Sequence, residues 1–283
     1  MPRIRLSHHM ITWGGEAFIQ FLDDIRELET FEGVETFPHL VDRYEGREEE
    51  FSAELRKRNL QLVCFYGGGN LWEKETERTE IEHNFKLIRF LHDHGGERLV
   101  LGPGGKPKNH TLKKDDYRRI AENMNKIGEV ALSKGIKAGV HPHLWTVIET
   151  RKEIDLIMSL VDPRYVFFAP DPAHLKGAGL EPVEVISDYA DRVVYMHIKD
   201  LTPEQKRNAS VNVATGTEAL PIFCELGQGV VDLPGVVNVL RKANYQGWIT
   251  VELDETTRTP RESAEISLKY LKEVLHLPEG SSQ

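Results

Sequence analysis

Two cysteines are all that the 283 residues contain, Cys64 and Cys224, and neither has a partner at CxxC spacing. A disulfide framework is therefore excluded as a source of stability, and two reduced thiols in a reducing compartment are expected. Lys and Arg are outnumbered by Asp and Glu, 36 to 45, and form no dense run. A formal charge of −9 repels a phosphate backbone, so no nucleic-acid partner is expected. No stretch approaches the ~20 apolar residues that span a bilayer, and the opening MPRIRLSHHM lacks the apolar core of a signal peptide. The expectation is a cytoplasmic protein with no membrane partner.

A nucleotide loop is missing as well. Trp13-Gly14-Gly15 is too short a match to G-x-G-x-x-G, and Gly102-Pro103-Gly104-Gly105-Lys106 lacks the Ser/Thr that completes a P-loop.

What the chain does have is alternation. Short β-prone runs fall at Ile4–Ser7, Gly33–Thr36, Leu60–Tyr66, Arg98–Leu101, Ile136–His141, Tyr165–Ala169, Val193–His197 and Trp248–Leu253. Amphipathic, charge-rich stretches follow each of them, at Glu16–Leu28, Glu48–Lys57, Thr79–His94, Lys113–Lys134, Thr150–Leu160, Glu181–Tyr189, Leu233–Ala243 and Pro260–Leu275. Thr150 and Glu153 have capping-box spacing, Gly135 stands where a helix ends, and Pro260 suits a first helical position. Eight strands alternating with eight helices imply a parallel sheet with right-handed crossovers. At a length near the ~250 residues typical of such barrels, the expected architecture is α/β, one (β/α)₈ barrel over residues 1–277 with a polar tail at 278–283. Leu201–Val231, the longest irregular stretch, reads as a lid or insertion at the barrel mouth.

Barrels of this kind carry their chemistry at the C-terminal ends of the strands. Those ends read V-H-P-H (His141, His143), P-D-P-A-H (Asp171, His174), M-H-I-K-D (His197, Lys199, Asp200) and V-E-L-D (Glu252, Asp254). A single strand-end His is usually hydrogen-bonded structure, and a single Asp-Pro usually opens a turn. Four consecutive strands converging on one rim point instead to a bound cation. Imidazole with carboxylate suits Mn²⁺, Co²⁺, Zn²⁺ or Fe²⁺. One divalent ion is expected.

These motifs, with the Gly227–Asp232 loop G-Q-G-V-V-D, resemble the xylose-isomerase-like TIM barrels, a superfamily of sugar isomerases, epimerases and dehydratases that also includes endonuclease IV. The resemblance runs over nearly the whole chain and is most specific from Asp171 to Glu252. The segments H-P-H-L-W-T-V-I-E-T and Y-Q-G-W-I-T-V-E-L-D look most similar to the inosose dehydratase branch. The resemblance implies that Asp171, His197 and Glu252 are metal ligands. The family takes a further Glu from the end of strand five, where this chain has His141. The fourth ligand is then His141 or Glu149, and Glu149 is preferred here because a third carboxylate better balances a divalent cation. The ends of strands two to four, E-T-F, F-Y-G-G-G-N and L-G-P-G-G-K, supply no histidine and argue against the three-metal cluster of endonuclease IV.

The chemistry implied is proton abstraction beside a carbonyl, with the metal stabilising an enediolate. Glu252 or Glu149 is the expected base, His143 or His174 the acid, and Lys199 a group directed at substrate oxygens. His141, His174, Trp13 and Trp145 are expected to line the substrate site. Aldose–ketose isomerisation or epimerisation of a ketose or polyol ketone comes first among the outcomes, dehydration of an inosose second, and a barrel that binds without catalysis third. The partner is a small sugar or polyol ketone, and a homo-oligomer is left open.

Overall fold

A computed structural model describes residues 3–203 and 222–278. Most of the expected Leu201–Val231 lid and the tail beyond Pro278 lie outside the described residues. Eight short, apolar runs form the strands β1 (Arg5–His9), β2 (Gly33–Thr36), β3 (Gln61–Gly69), β4 (Arg98–Pro103), β5 (Lys137–Val140), β6 (Val166–Phe168), β7 (Tyr195–Ile198) and β8 (Trp248–Val251). Their pairings are all parallel, in the order β6-β5-β4-β3-β2-β1-β8-β7. That order bends the sheet into a (β/α)₈ barrel, with helices packed on its outer face.

The ring closes between β6 and β7 by a thin seam. Phe168 and Val193 form an isolated bridge, Val194 N–H donates to Phe168 O at 3.0 Å, and His197 N–H donates to Pro170 O at 3.2 Å. Arg192 reinforces it, its guanidinium donating to Val166 O at 2.8 Å and Met158 O at 3.0 Å.

Continuous apolar strands such as Val34 or Val100–Leu101 are buried on both faces because helices cover one side and the ring closes over the other. A small cluster of Val63, Val100, Tyr195 and Trp248 fills the barrel interior, and the larger core lies between strands and helices. At the N-terminal end the Arg5 guanidinium lies 3.9 Å above the Trp248 ring, sealing the floor.

Helix signals act where the sequence puts them. Thr150 caps Arg151–Leu160 with Glu153 in a reciprocal box, and Thr259 caps Pro260–Glu273 in the same way with Glu262. Gly135 adopts φ +78° just after helix Lys114–Ser133, a backbone geometry that a side chain would strain. Two short helices were not anticipated, His39–Arg43 and Pro172–Gly177.

After β7 the chain makes a small two-stranded antiparallel pair, Asp200–Leu201 with Phe223–Cys224. The Asp200 carboxylate holds this region together. It accepts from Leu201 N–H at 2.8 Å and from Gly227, Gly229 and Val231 N–H at 3.0 Å each. A Cβ on Gly229 would lie 2.2 Å from Asp200 Oδ1, so the G-Q-G motif lets the backbone reach the carboxylate. Neither cysteine is in a disulfide, and among the described residues no helix is long and apolar enough to cross a membrane.

Candidate active site

Side chains alternate across a strand, so every second residue of a barrel strand faces inward. On β7 the inner positions are Tyr195 and His197, continued by Lys199, and on β8 they are Thr250, continued by Glu252 and Asp254. β1 contributes Ser7 and His9, and β2 contributes Glu35. These groups meet. Ser7 and Thr250 share a hydrogen bond, Thr250 donates to Tyr195 Oη, and Tyr195 Oη donates to Glu35 Oε2 at 2.6 Å. His197 Nε2–H donates to the same Glu35 oxygen at 2.6 Å. A polar column thus rises from the barrel floor to the mouth.

At its top, His197 Nδ1 lies 2.9 Å from Glu252 Oε2 without the geometry of a hydrogen bond. Glu252 Oε1 accepts from Lys199 Nζ at 2.8 Å, and the same ammonium lies 3.5 Å from Asp171 Oδ2 and 3.4 Å from Asp254 Oδ2. Lys199 is fully buried. Burial disfavours its charge, yet Asp254, Glu252 and Asp171 outweigh burial and raise its pKa. For His197 too, burial favours the neutral ring, but Glu252 and Glu35 overcome it and raise the pKa well above the ordinary value. Burial would raise Glu252, and His197 and Lys199 pull it well below the carboxylate range.

Asp171 divides its two oxygens. Oδ1 caps the helix Pro172–Gly177, accepting from Ala173 N–H at 2.7 Å and His174 N–H at 3.3 Å. Among the described residues Oδ2 is buried without a hydrogen-bond partner, as are His197 Nδ1 and Glu252 Oε2. Each of the three residues expected to bind metal therefore keeps one unsatisfied donor atom. Leaving a buried polar atom unpaired costs about 1–3 kcal/mol, which a cation among them would recover. In donor chemistry, two carboxylates and an imidazole suit a divalent ion.

Beside this group stand His141, His143 and His174, each with a ring nitrogen within 4.8 Å of one on the other two. The His141 ring lies edge-on to His197 at 5.0 Å, and His143 packs on His174 at 3.6 Å. His141 Nδ1–H donates to Ala169 O at 2.9 Å and His143 Nδ1–H to Leu144 O at 2.8 Å. A carbonyl can only accept, so the neutral rings carry their lone pairs on Nε2. Burial pushes all three histidines below the ordinary imidazole value, with His197 lowering His141 further and Lys199 lowering His174 further. They are neutral near pH 7.

Asp171, His197, Glu252, Lys199, His141, His143 and His174 are brought together. Glu149 is not: its carboxylate pairs with Lys106 on the rim. A nearby lysine on the loop after β4 outcompetes the interior for it. Trp13 also lies elsewhere, its indole N–H donating to Asp24 at 2.7 Å and its ring packing on His8 and Phe21 outside the barrel. Trp145 sits on the rim, 57% exposed and at φ +65°. Of the two histidines ending β1, His9 faces inward toward Glu35, while His8 is caged by Trp13, Phe21 and Phe31. Glu35 and Tyr195 went unrecognised. A carboxylate inside the short apolar run G-V-E-T was the available signal.

A family model matches residues 22–274, and the chain belongs to the xylose isomerase-like TIM barrel family. Within it, the chain is 31% identical over 237 residues to an inosose dehydratase of Clostridium botulinum (strain Alaska E43 / Type E3), covering 77% of this chain and 78% of that protein. Its fold matches the probable 3-DHS dehydratase AsbF of Bacillus anthracis with a TM-score of 0.77 at 14% identity, covering 96% of this chain and 100% of that one. It also matches the IOLI protein, solved with a bound zinc atom, at 0.76 and 13% identity, covering 96% of this chain and 98% of that one. The chain shares the fold of both structures.

Proposed function

We propose that this protein dehydrates a cyclic polyol ketone of the inosose type, with a divalent cation held by Asp171, His197, Glu252 and His141. The observation that carries the reading is the set of three orphaned donor atoms beside a cluster of neutral histidines. His141 is preferred to Glu149 as fourth ligand, because its Nε2 lone pair is free beside His197 while Glu149 is tied to Lys106. Two imidazoles and two carboxylates suit Mn²⁺, Co²⁺, Zn²⁺ or Fe²⁺. The ion would supply positive charge to a ketone oxygen and its neighbouring hydroxyl, stabilising charge that develops there when the adjacent carbon loses a proton.

The chain's own groups supply the proton transfers. His143 is neutral with a lone pair on Nε2, so it serves as the base that takes the proton beside the ketone. That revises the acid role expected from the sequence for His143 and His174, since burial strips the proton from both rings. Lys199 keeps its proton and faces His174 Nε2 at 3.4 Å. It serves as the acid that protonates the departing β-hydroxyl, so that water leaves and the electron pair of the broken C–H bond becomes the new C=C bond. With no glutamate at the end of β5, the paired carboxylates that a two-faced epimerisation uses are missing. The similarity to inosose dehydratases supports elimination in their place.

Incubation of the metal-loaded protein with inososes and ketoses in D₂O, followed by NMR, tests this. Loss of one water per turnover from an inosose is expected. Deuterium uptake without loss of water would make the protein an isomerase or epimerase. No reaction across the panel would overturn the catalytic reading.

A further inference from the structure

Glu35 stands in the barrel interior, fully buried, with no Lys or Arg among its hydrogen-bonding partners in the described residues. Removing a carboxylate from water costs several kcal/mol, and an apolar side chain would fill the same space without that cost. Its partners suggest what it does there. Oε2 accepts from His197 Nε2–H and from Tyr195 Oη, each at 2.6 Å, and Oε1 faces His9 Nε2 at 3.8 Å. Tyr195 is in turn held by Thr250, and Thr250 by Ser7. The carboxylate is braced from below by three strands.

The two nitrogens of an imidazole diverge, so Glu35 and Glu252 lie on different sides of the His197 ring. Glu35 can only accept, so a neutral His197 must keep its hydrogen on Nε2 and its lone pair on Nδ1. Nδ1 is the atom 2.9 Å from Glu252 Oε2. A lone pair facing a carboxylate oxygen is repulsive unless a positive charge serves both, a proton in the ion-free protein or a bound cation in its place. We infer that Glu35 is a positioning residue: it selects the tautomer and fixes the plane of His197 so that Nδ1, with Glu252 and Asp171, is aimed at one cation. This rests on the assignment of His197 as a ligand made above.

Loss of such an outer partner weakens metal affinity by about 10–100-fold. Calorimetric titration with Co²⁺, with the visible absorption of the bound ion recorded alongside, tests the inference in Glu35→Gln, Glu35→Ala and Tyr195→Phe. Wild type and His197→Ala come first. If wild type takes up no Co²⁺, or His197→Ala binds it equally well, the ligand assignment itself falls. With that assignment standing, Glu35→Gln should bind about 10-fold more weakly and Glu35→Ala about 100-fold, each with an altered visible band. Tyr195→Phe, which removes a support of Glu35 without touching the His197 bond, should stay close to wild-type affinity. Glu35→Gln is nearly isosteric and decides the matter where Glu35→Ala fails to fold. Wild-type affinity and an unchanged band in Glu35→Gln would overturn the inference.

Discussion

Lys199 and His8 are both fully enclosed, and the fold treats their charges in opposite ways. Lys199 remains an ammonium because Asp254, Glu252 and Asp171 surround it. Replacing it with Met would leave those carboxylates without their counter-charge. The metal-free protein is expected to lose about 3–5 kcal/mol in urea unfolding, and unchanged stability would show that the ammonium is not their main support. Turnover should fall by about 10²–10⁴-fold if Lys199 is the acid.

His8 is surrounded by aromatic rings, and burial lowers its pKa to about 4 against the pull of its hydrogen bond to the His9 carbonyl. An unfolded chain would protonate this residue near 6.5. Between those two values the unfolded state binds more protons than the fold does, so stability is full above about pH 6.5 and drains away as pH falls toward 4. The ring accounts for about 3 kcal/mol of that loss. His8→Phe should flatten the stability–pH curve in this window, and an unchanged slope would rule out His8 as its source.

At the scale of elements, the loop after β7 depends on one carboxylate. Asp200→Asn keeps the shape but loses the charge that attracts four N–H groups, and sets its own amide hydrogens against some of them. A loss of about 3 kcal/mol in chemical denaturation is expected. A near-neutral effect would mean that the antiparallel pair, not the carboxylate, organises the loop.

Elements of this kind were partly legible in advance. Strand runs and capping boxes could be read because they depend on local pattern, and β2 and the helix Glu48–Lys57 fall where periodicity put them. The histidines and carboxylates of β5 to β8 could be read because strand ends in a barrel share one rim. Asp171 looked like either a turn-former or a ligand, and its two oxygens allow for both. Glu149 pairs with Lys106, a partner distant in sequence and adjacent in space that no local pattern shows. Glu35 escaped notice for the same reason, since its partners on β7 are 160 and 162 residues away. Pairings between distant strands are fixed by closure of the ring, which no local pattern encodes.

Considered as a whole, the molecule is a ring with one weak joint. β3 and β4 pair over six residues, whereas β6 meets β7 through a single bridge and two flanking hydrogen bonds. The amides of Val194 and His197 should therefore exchange with deuterium well before those along β3–β4, and Arg192→Ala should quicken them further by removing the staple to Val166. Equal protection around the ring would contradict this. Asp171 follows β6 and His197 belongs to β7, so the proposed ligands stand on opposite banks of that gap. A cation bound there would act as a keystone, and taking it away with a chelator would slacken the architecture at the same moment that it silenced the chemistry.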